Sequence, residues 1–569
     1  VCRRLSVPPA EAYGVATFYA LFTTKPRAPI AAHVCDDIAC RLAGAEEVCE
    51  DLGRSLGPAG SPARDGTMTW LRSPCLGQCE RVPAAMFTIA GEQGFREVAA
   101  PTDAVGIVSR LEAAVAGDRS TSKGPSERPV GDPAAATQAS TDRMQEARAS
   151  VPQAGEPQLQ LLRRAGIVDP SSLDDYLANR GYQALEHALA MGPEAVTKEV
   201  IDSKLLGRGG AAFPTGRKWA AVAGQPAQPH YVVANADESE PGTFSNRVVM
   251  ELDPFAVVES MTIEGLATRS SKGYLYIRGE YPLAEGRILH AIEAARAAGY
   301  LGPSVMGSDF AFDIELRRGA GAYICGEETA LFESIEGKRG EPRNKPPFPV
   351  EVGLFGKPTA VNNVETLVNV LGILEEGPGG GERYAATGTD GSTGPKLFCV
   401  SGNVGRAGVY EVTFGMTLGE LIELAGGVPG GRSIRAVLLG GAAGVFVGPD
   451  ALEVPLTFEG TRAIGASLGS GVVMVFDETT DMVGTLRRIA AFFRDESCGQ
   501  CVPCRVGTVR QEELLSRLAD RIEVRTREAE LALLRDIGQA MRDASICGLG
   551  QTASSAIESA MRQPELVAL

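Results

Sequence analysis

Three cysteines stand within seven residues in the stretch SCGQCVPCRVG, Ser497 to Gly507, and nothing else in this chain constrains its fold as strongly. Two consecutive Cys-x-x-Cys steps crowd the sulfurs of Cys498, Cys501 and Cys504 into one small volume, which a fold requires only if something binds them there. A fourth cysteine, Cys547 in SICGLGQ, lies much further along in a glycine-rich turn. Three thiolates from one segment and a fourth from a distant loop suit a cubane 4Fe-4S cluster. Tetrahedral zinc is the alternative, although zinc sites more often use two separated Cys-x-x-Cys knuckles.

Cys35 with Cys40, and Cys75 with Cys79, form a second set. Each pair follows a short apolar run of strand character, so two loops at one end of one sheet can each supply two sulfurs. One pair per iron suits a rhombic 2Fe-2S cluster, with zinc or a redox disulfide left open on spacing alone. Cys2, Cys49, Cys325 and Cys399 have no partner at a suitable spacing and read as ordinary buried thiols. Twelve cysteines used this way in 569 residues point to a reducing compartment. No apolar run approaches the roughly 20 residues that span a bilayer, and VCRRLSVPPAEAYG lacks a secretory apolar core, so the expected location is cytoplasmic. A net charge of -16 argues against nucleic acid as a partner.

The chain is too long for one core and divides by pattern. Residues 1–117 read as a short helix followed by a βαββα unit, with IAAHVCD, MTWLR and AAMFTIA as strands and AVGIVSRLEAAVAG as the last helix. Residues 118–157, rich in Ser, Pro, Ala, Gly and Thr without a sustained apolar period, read as a linker. From 158 to 394, strands such as HYVVANA, GYLYIRG and FDIELRRG alternate with helical stretches, as in a parallel α/β sheet. Residues 395–480 suggest short strands around the helix TLGELIELAGG, and 481–569 a helical bundle that carries the opening motif. The fold class is therefore α/β and multidomain.

Several loops invite a nucleotide. GRGGAAFPTGRKW, Gly207 to Trp219, follows a helical stretch rather than a strand, so the dinucleotide fingerprint fails. Its glycines still allow close backbone approach, and Arg208, Arg217 and Lys218 supply positive charge; a plain surface loop is the alternative. NADESEPGTF places Asn235, Asp237, Glu238 and Glu240 at the carboxyl end of a strand, where ligands of open α/β sheets collect. In GAGAYICGEETAL, Glu327 and Glu328 open a helix, where they would repel a pyrophosphate and suit ribose hydroxyls or a flavin edge; acids that merely stabilise the helix start are the alternative. The segment GASLG, Gly465 to Gly469, matches Gly-x-Ser-x-Gly but runs into a strand with no later histidine, so it is no nucleophile elbow. There is no HExxH, and the four histidines are scattered.

Together, GRGGAAFPTGRKW, NADESEPGTF, GAGAYICGEETAL, NKPPFP, GLFGKPTAVNNVETL and ESCGQCVPCRVG with SICGLG resemble the NADH-binding flavoprotein subunit of respiratory complex I and its soluble relatives, in the family's order from about Gly166 onward. The front segment, with YGVATFYALF and the two cysteine pairs, is similar to the thioredoxin-like half of that complex's small 2Fe-2S subunit. The resemblance implies a thioredoxin-like 2Fe-2S domain, a Rossmann-like FMN and NADH domain, a ubiquitin-like (SLBB) module and a helical 4Fe-4S domain. It implies FMN bound by Gly207, Gly209, Lys218, Asn235, Asp237, Glu238, Gly326, Glu327, Asn362, Asn363 and Thr366. NAD(H) would stack on the flavin with help from Gly210, Phe213, Glu240, Glu328, Lys345 and Phe348, of which Glu240 and Glu328 are the candidate catalytic acids. An aromatic residue common in the family three positions after the lysine is Ala221 here.

Hydride transfer moves two electrons whereas clusters carry one, and FMN converts between the two. Such fused chains resemble the β (diaphorase) subunits of NAD-dependent molybdenum- or tungsten-containing formate dehydrogenases, and of NAD-reducing and bifurcating hydrogenases. Bifurcating members generally carry further cysteines beyond the cluster motif, and none follows Cys547. The expectation is a chain that reduces NAD+ with electrons taken from formate by a large catalytic partner, with hydrogenase or complex I-type chemistry as the alternative. A cluster-bearing subunit without nucleotide turnover is disfavoured by the intact GRGG, NADESE and GEET elements.

Overall fold

Ile30–Cys35 (β1) and Met68–Ser73 (β2) pair in parallel with Cys35 opposite Ser73, so the loops carrying the first two cysteine pairs leave the same end of one sheet. The computed structural model describes residues 2–91, 94–117, 133–522, 524–563 and 566. Ala85–Ile89 (β3) and Phe95–Ala99 (β4) complete the sheet in the order β2-β1-β3-β4, and the helices Ala45–Leu56 and Ala104–Val115 cover a core of Val34, Leu52, Trp70, Phe87 and Leu111. There is one strand more than the expected βαββα. The additional β4, FREVA, is a short edge strand with two charged residues and offers no apolar run to read.

The segment expected as a linker is one only in part. Residues 118–132 lie outside the described residues, but Pro133–Arg148 is helical, and Ala147, Val151 and Ala154 within and beyond it are buried. Gln153 exchanges hydrogen bonds with the Glu411 backbone at 2.8 and 3.2 Å, and the Glu411 carboxylate accepts from the backbone N–H groups of Gln160, Leu161 and Leu162 at 2.7, 3.0 and 2.9 Å. The strap is thus fastened by main-chain contacts that small residues permit and periodicity does not register. Glu411→Ala strands three N–H groups, and we expect it to lower stability by about 2–4 kcal/mol and to open residues 150–162 to limited proteolysis.

Tyr231–Ala236 (β5), Lys272–Ile277 (β6), Asp313–Arg318 (β7) and Thr359–Asn363 (β8) form an all-parallel sheet in the order β7-β6-β5-β8. The chain leaves β5 on one side and returns as β8 on the other, which opens a crevice at their carboxyl ends, where Asn235 stands opposite Asn363. The NADESE loop and the start of the helix Val364–Leu374 both emerge there. Behind the sheet, the helix Pro254–Thr268 is buried along all 15 residues.

Pro395–Gly402 (β9), Gly408–Thr413 (β10), Ile434–Leu439 (β11), Val445–Val447 (β12) and Val472–Asp477 (β13) form the next sheet, in the order β10-β9-β13-β11-β12. They wrap the expected helix, Leu418–Leu424, which a Thr417/Glu420 capping box starts, and a second short helix, Phe458–Ala463. The helices Met482–Glu496, Val502–Ala519 and Arg527–Ala544 then build the terminal bundle.

Candidate functional site

A cavity of about 520 Å³ occupies the β5/β8 crevice. Of the candidate residues, Gly209, Gly210, Asn235, Asp237, Glu238, Glu240, Gly326, Glu327 and Asn363 line it. The GRGG loop arrives from a helix, as the sequence indicated, and folds back so that Gly207 N–H donates to Phe213 O at 2.9 Å. A Cβ on Gly209 would come within 3.1 Å of Asn363 Cβ, so a bare backbone is what fits there. Thr366 Oγ1 accepts from the Arg208 N–H at 2.8 Å, and Asn363 caps its helix by accepting from Glu365 N–H at 2.9 Å.

The remaining candidates stand beside the cavity or behind it. The Lys345 ammonium bridges Glu327 at 2.9 Å and Glu328 at 2.8 Å, while Glu327 also caps the helix Glu328–Ile335 by accepting from Thr329 and Ala330 N–H. The helix-start reading thus holds for Glu327, which also lines the cavity, while Glu328 stands outside the lining. Phe213 and Phe348 each keep 52% of their surface exposed. The Lys218 ammonium donates to Val361 O at 2.6 Å, and Asn362 donates to Glu264. Arg208, expected to offer charge to a ligand, instead buries its guanidinium 4.8 Å from the Phe414 ring and donates to Thr393 O at 2.6 Å. A planar cation stacked between modules fixes the loop without facing the crevice.

Burial sets the acidity of the lining carboxyls. It pushes Asp237 far above the carboxylate range. Glu238 and Glu240 rise to about 7, the first opposed by the N–H groups of Asn246 and Arg247, the second by Tyr323 and the Ala443 N–H. Glu240 Oε1 accepts from Ala443 N–H at 2.8 Å, and Tyr323 donates to Oε2. Tyr323, the loops Gly440–Gly444 and 467–470, and Gly548, Leu549 and Thr552 complete the walls. Tyr323 lies within GAGAYICGEETAL and Gly548 and Leu549 within SICGLG, whereas the loops Gly440–Gly444 and 467–470 carry no sequence signal for a ligand; GASLG, no nucleophile elbow, contributes Ser467 and Gly469.

Cys35, Cys40, Cys75 and Cys79 are buried together, with the last two sulfurs 3.5 Å apart. Hydrogen bonds donated within the quartet hold Cys75 low and push Cys35 and Cys79 up, the signature of thiols gathered at one point. Cys501 and Cys547 each start a helix, and Cys504 lies in the first turn after Cys501. Cys504, raised to about 12 by burial, feels the charge of Cys501, Cys547 and Cys498. Of the four remaining thiols, Cys49, Cys325 and Cys399 are buried, but Cys2 is half-exposed.

One set abuts the cavity and the other is tied to its wall through arginines. Gly548 in its wall follows Cys547 directly. On the other side, Arg278 donates to Cys75 O at 2.5 Å and to Glu238 O at 2.8 Å, while Arg247 donates to Gly77 O at 2.8 Å. Gly77, at φ +64°, lies so near Tyr281 that a Cβ would meet its hydroxyl at 2.2 Å. A roomy, glycine-walled crevice at a helix start suits a flavin mononucleotide, and two sets of four converging free thiols suit the clusters.

Family models match in chain order: thioredoxin-like 2Fe-2S ferredoxin over residues 1–108, the Nuo51 FMN-binding domain over 200–372, the SLBB domain over 397–442 and the NADH-ubiquinone oxidoreductase-F iron-sulfur binding region over 484–565. The chain is 45% identical over 404 residues to an NADH-quinone oxidoreductase subunit of Aquifex aeolicus, covering 71% of this chain and 92% of that one. It is 44% identical over 400 residues to NADP-reducing hydrogenase subunit HndC of Solidesulfovibrio fructosivorans, covering 70% and 80%. A solved NAD+-reducing NiFe-hydrogenase in the air-oxidized state aligns with a TM-score of 0.81 and 32% identity, over 99% of this chain and 89% of that one. No described helix is long and apolar enough to cross a membrane. The chain belongs to the NADH-binding flavoprotein family of complex I and its relatives, as an NAD-dependent oxidoreductase subunit with FMN, 2Fe-2S and 4Fe-4S domains.

Proposed function

We propose that this chain is a diaphorase subunit that reduces NAD+ with electrons delivered by a separate catalytic subunit. The observation that carries this reading is that one crevice borders Cys547, through Gly548, and is tied to Cys75 by Arg278, which donates to both the Glu238 and the Cys75 carbonyls. Bound FMN supplies the exchange between a hydride and single electrons. The protein supplies placement: Gly207, Gly209, Asn235, Asn363 and Thr366 shape the flavin cradle, and Gly210, Phe213, Lys345 and Phe348 serve the nucleotide. Cys498, Cys501 and Cys547 are half-buried, and on the adjoining helix Val502, Val506 and Val509 expose 58%, 46% and 36% of their surface. An apolar stripe beside the cluster ligands suits a docked partner subunit.

In the family that the chain resembles, an acid matching Glu240 helps disfavour the extra phosphate of NADPH, as charge repulsion would. The Glu240 carboxyl is neutral below and anionic above about 7, so repulsion of that phosphate grows with pH. We expect the ratio of kcat/KM for NADH over NADPH to rise ~10-fold between about pH 6 and 8, and to stay flat in Glu240→Gln, measured with an artificial acceptor.

For the partner we propose a tungsten- or molybdenum-containing formate dehydrogenase subunit, on the fused domain architecture. The alignment over nearly the whole chain with an NAD+-reducing hydrogenase favours a hydrogenase partner as the second reading. Anaerobic affinity purification with metal analysis separates them: tungsten or molybdenum with formate-dependent NAD+ reduction supports the first. Nickel with hydrogen-dependent reduction replaces it by the second, and a purified complex that reduces no NAD+ from either donor overturns both.

A further inference from the structure

Arg247, Arg278 and Arg488, whose side chains are at most 10% exposed, all reach the thioredoxin-like domain from outside it. Arg247 is held by Glu80 and Glu251, and Arg488 by Asp36 and Asp37, two carboxylates each. Arg278 is different. Its Nε meets one carboxylate, that of Glu280 at 3.3 Å, and its two terminal nitrogens turn on main-chain carbonyls. One donates to Glu238 O at the crevice at 2.8 Å, the other to Cys75 O in the loop of the Cys35, Cys40, Cys75 and Cys79 quartet at 2.5 Å. Two carbonyls need only hydrogen-bond donors, which a neutral side chain supplies; what a guanidinium adds is charge.

That charge is fixed in place. Arg278 follows β6 directly, its N–H donates to Ala236 O of β5 at 3.4 Å, and its guanidinium lies 5.0 Å from the centroid of the Tyr281 ring. Tyr281 in turn donates to Glu238 O at 3.1 Å and crowds Gly77, between Cys75 and Cys79. Cation, ring and cysteine loop are therefore packed as one unit. Asp37, which accepts from the Cys75 N–H at 3.2 Å, is paired with Arg488 at 3.3 Å and so does not cancel Arg278. In an interior closed to water, a cation with fewer carboxylates than its neighbours favours negative charge on the side it faces.

We propose that Arg278 is the counter-charge of the 2Fe-2S site, a fixed cation that stabilises the reduced cluster and so raises its reduction potential. The inference rests on reading Cys35, Cys40, Cys75 and Cys79 as that cluster's ligands. Reduction adds one electron, drawn from NADH in turnover and from dithionite in the titration below, and with it one negative charge; the guanidinium, always protonated, takes up no proton.

Cluster-loaded full-length protein is titrated anaerobically with dithionite through redox mediators, and the 2Fe-2S signal is read by electron paramagnetic resonance. In Arg278→Gln, which keeps hydrogen-bond donors without the cation, the reduced-to-oxidised ratio at a given potential is expected to fall ~10-fold, a lowering of about 59 mV for a one-electron couple. Glu280→Gln keeps the cation and removes its carboxylate, and is expected to raise the same ratio ~3-fold or more. An arginine that only fastens the domains together lowers the melting temperature in these variants without moving the potential in opposite directions. Any result other than a fall in the first variant and a rise in the second overturns the inference. Should Arg278→Gln fail to fold, the rise in Glu280→Gln decides alone. Wild-type protein that assembles no 2Fe-2S signal overturns the reading of the quartet along with it.

Discussion

Cys501→Ala cuts electron transfer between NADH and the partner subunit by about 100-fold or more and leaves NADH oxidation by ferricyanide within about threefold. Cys501 begins the helix Val502–Ala519, between Cys498 in the preceding turn and Cys504 in the following one, so its loss opens the middle of the three-cysteine segment. The crevice depends on none of its atoms. Iron analysis and low-temperature electron paramagnetic resonance should record loss of one cluster signature with the other retained. Cys399→Ala, a buried thiol that accepts from Phe244 N–H at 3.2 Å, is the control and should keep its full iron content. Unchanged transfer to the partner in Cys501→Ala would sink the proposed route.

Arg247→Met is expected to destabilise the protein by about 3–5 kcal/mol. The guanidinium is wholly buried, donates to Glu251 at 2.7 Å and to Glu80 and Gly77 O, and so bolts the 2Fe-2S loop to the flavin domain. Methionine would leave Glu80, itself fully buried at its side chain, with the half-buried Arg81 as its remaining cation. The effect is read as a fall in the melting temperature and as earlier release of the front domain in limited proteolysis. Glu80→Gln combined with Arg247→Met should recover part of the loss, since the second variant removes the stranded charge. A double variant no more stable than the single one would assign the loss to packing instead.

What the sequence made legible was whatever is written in neighbouring residues. Thiols spaced two apart, apolar runs such as HYVVANA, and the glycines of GRGG each declare a local geometry, and the structure places them accordingly. The short β4 and β8 escaped because FREVA and TAVNN carry charge or amides where a strand signal needs apolar residues. The helix Pro133–Arg148 escaped because alanine and small polar residues give it no apolar face of its own. Composition likewise hid the tertiary partners. Glu240 meets Ala443 across some 200 positions of chain, and Arg208 turns from the crevice toward Phe414 for reasons no local window contains.

The front domain is joined to the rest by a peptide chain that is itself fastened through Gln153 and Glu411. Its contact with the flavin domain combines buried ions and main-chain carbonyls, Arg247, Arg278 and Glu80 among them, with apolar packing by Tyr19, Ile38 and Ala39. As two separate proteins these halves would depend on cellular abundance to meet and would be produced in amounts needing to be matched. A tether of this kind holds the local concentration near the millimolar range, so the contact between the halves stays closed at any expression level. Synthesis in one chain also fixes the ratio of the two cluster-bearing domains at unity, a constraint on gene dosage and cofactor delivery that the arrangement of its atoms alone imposes.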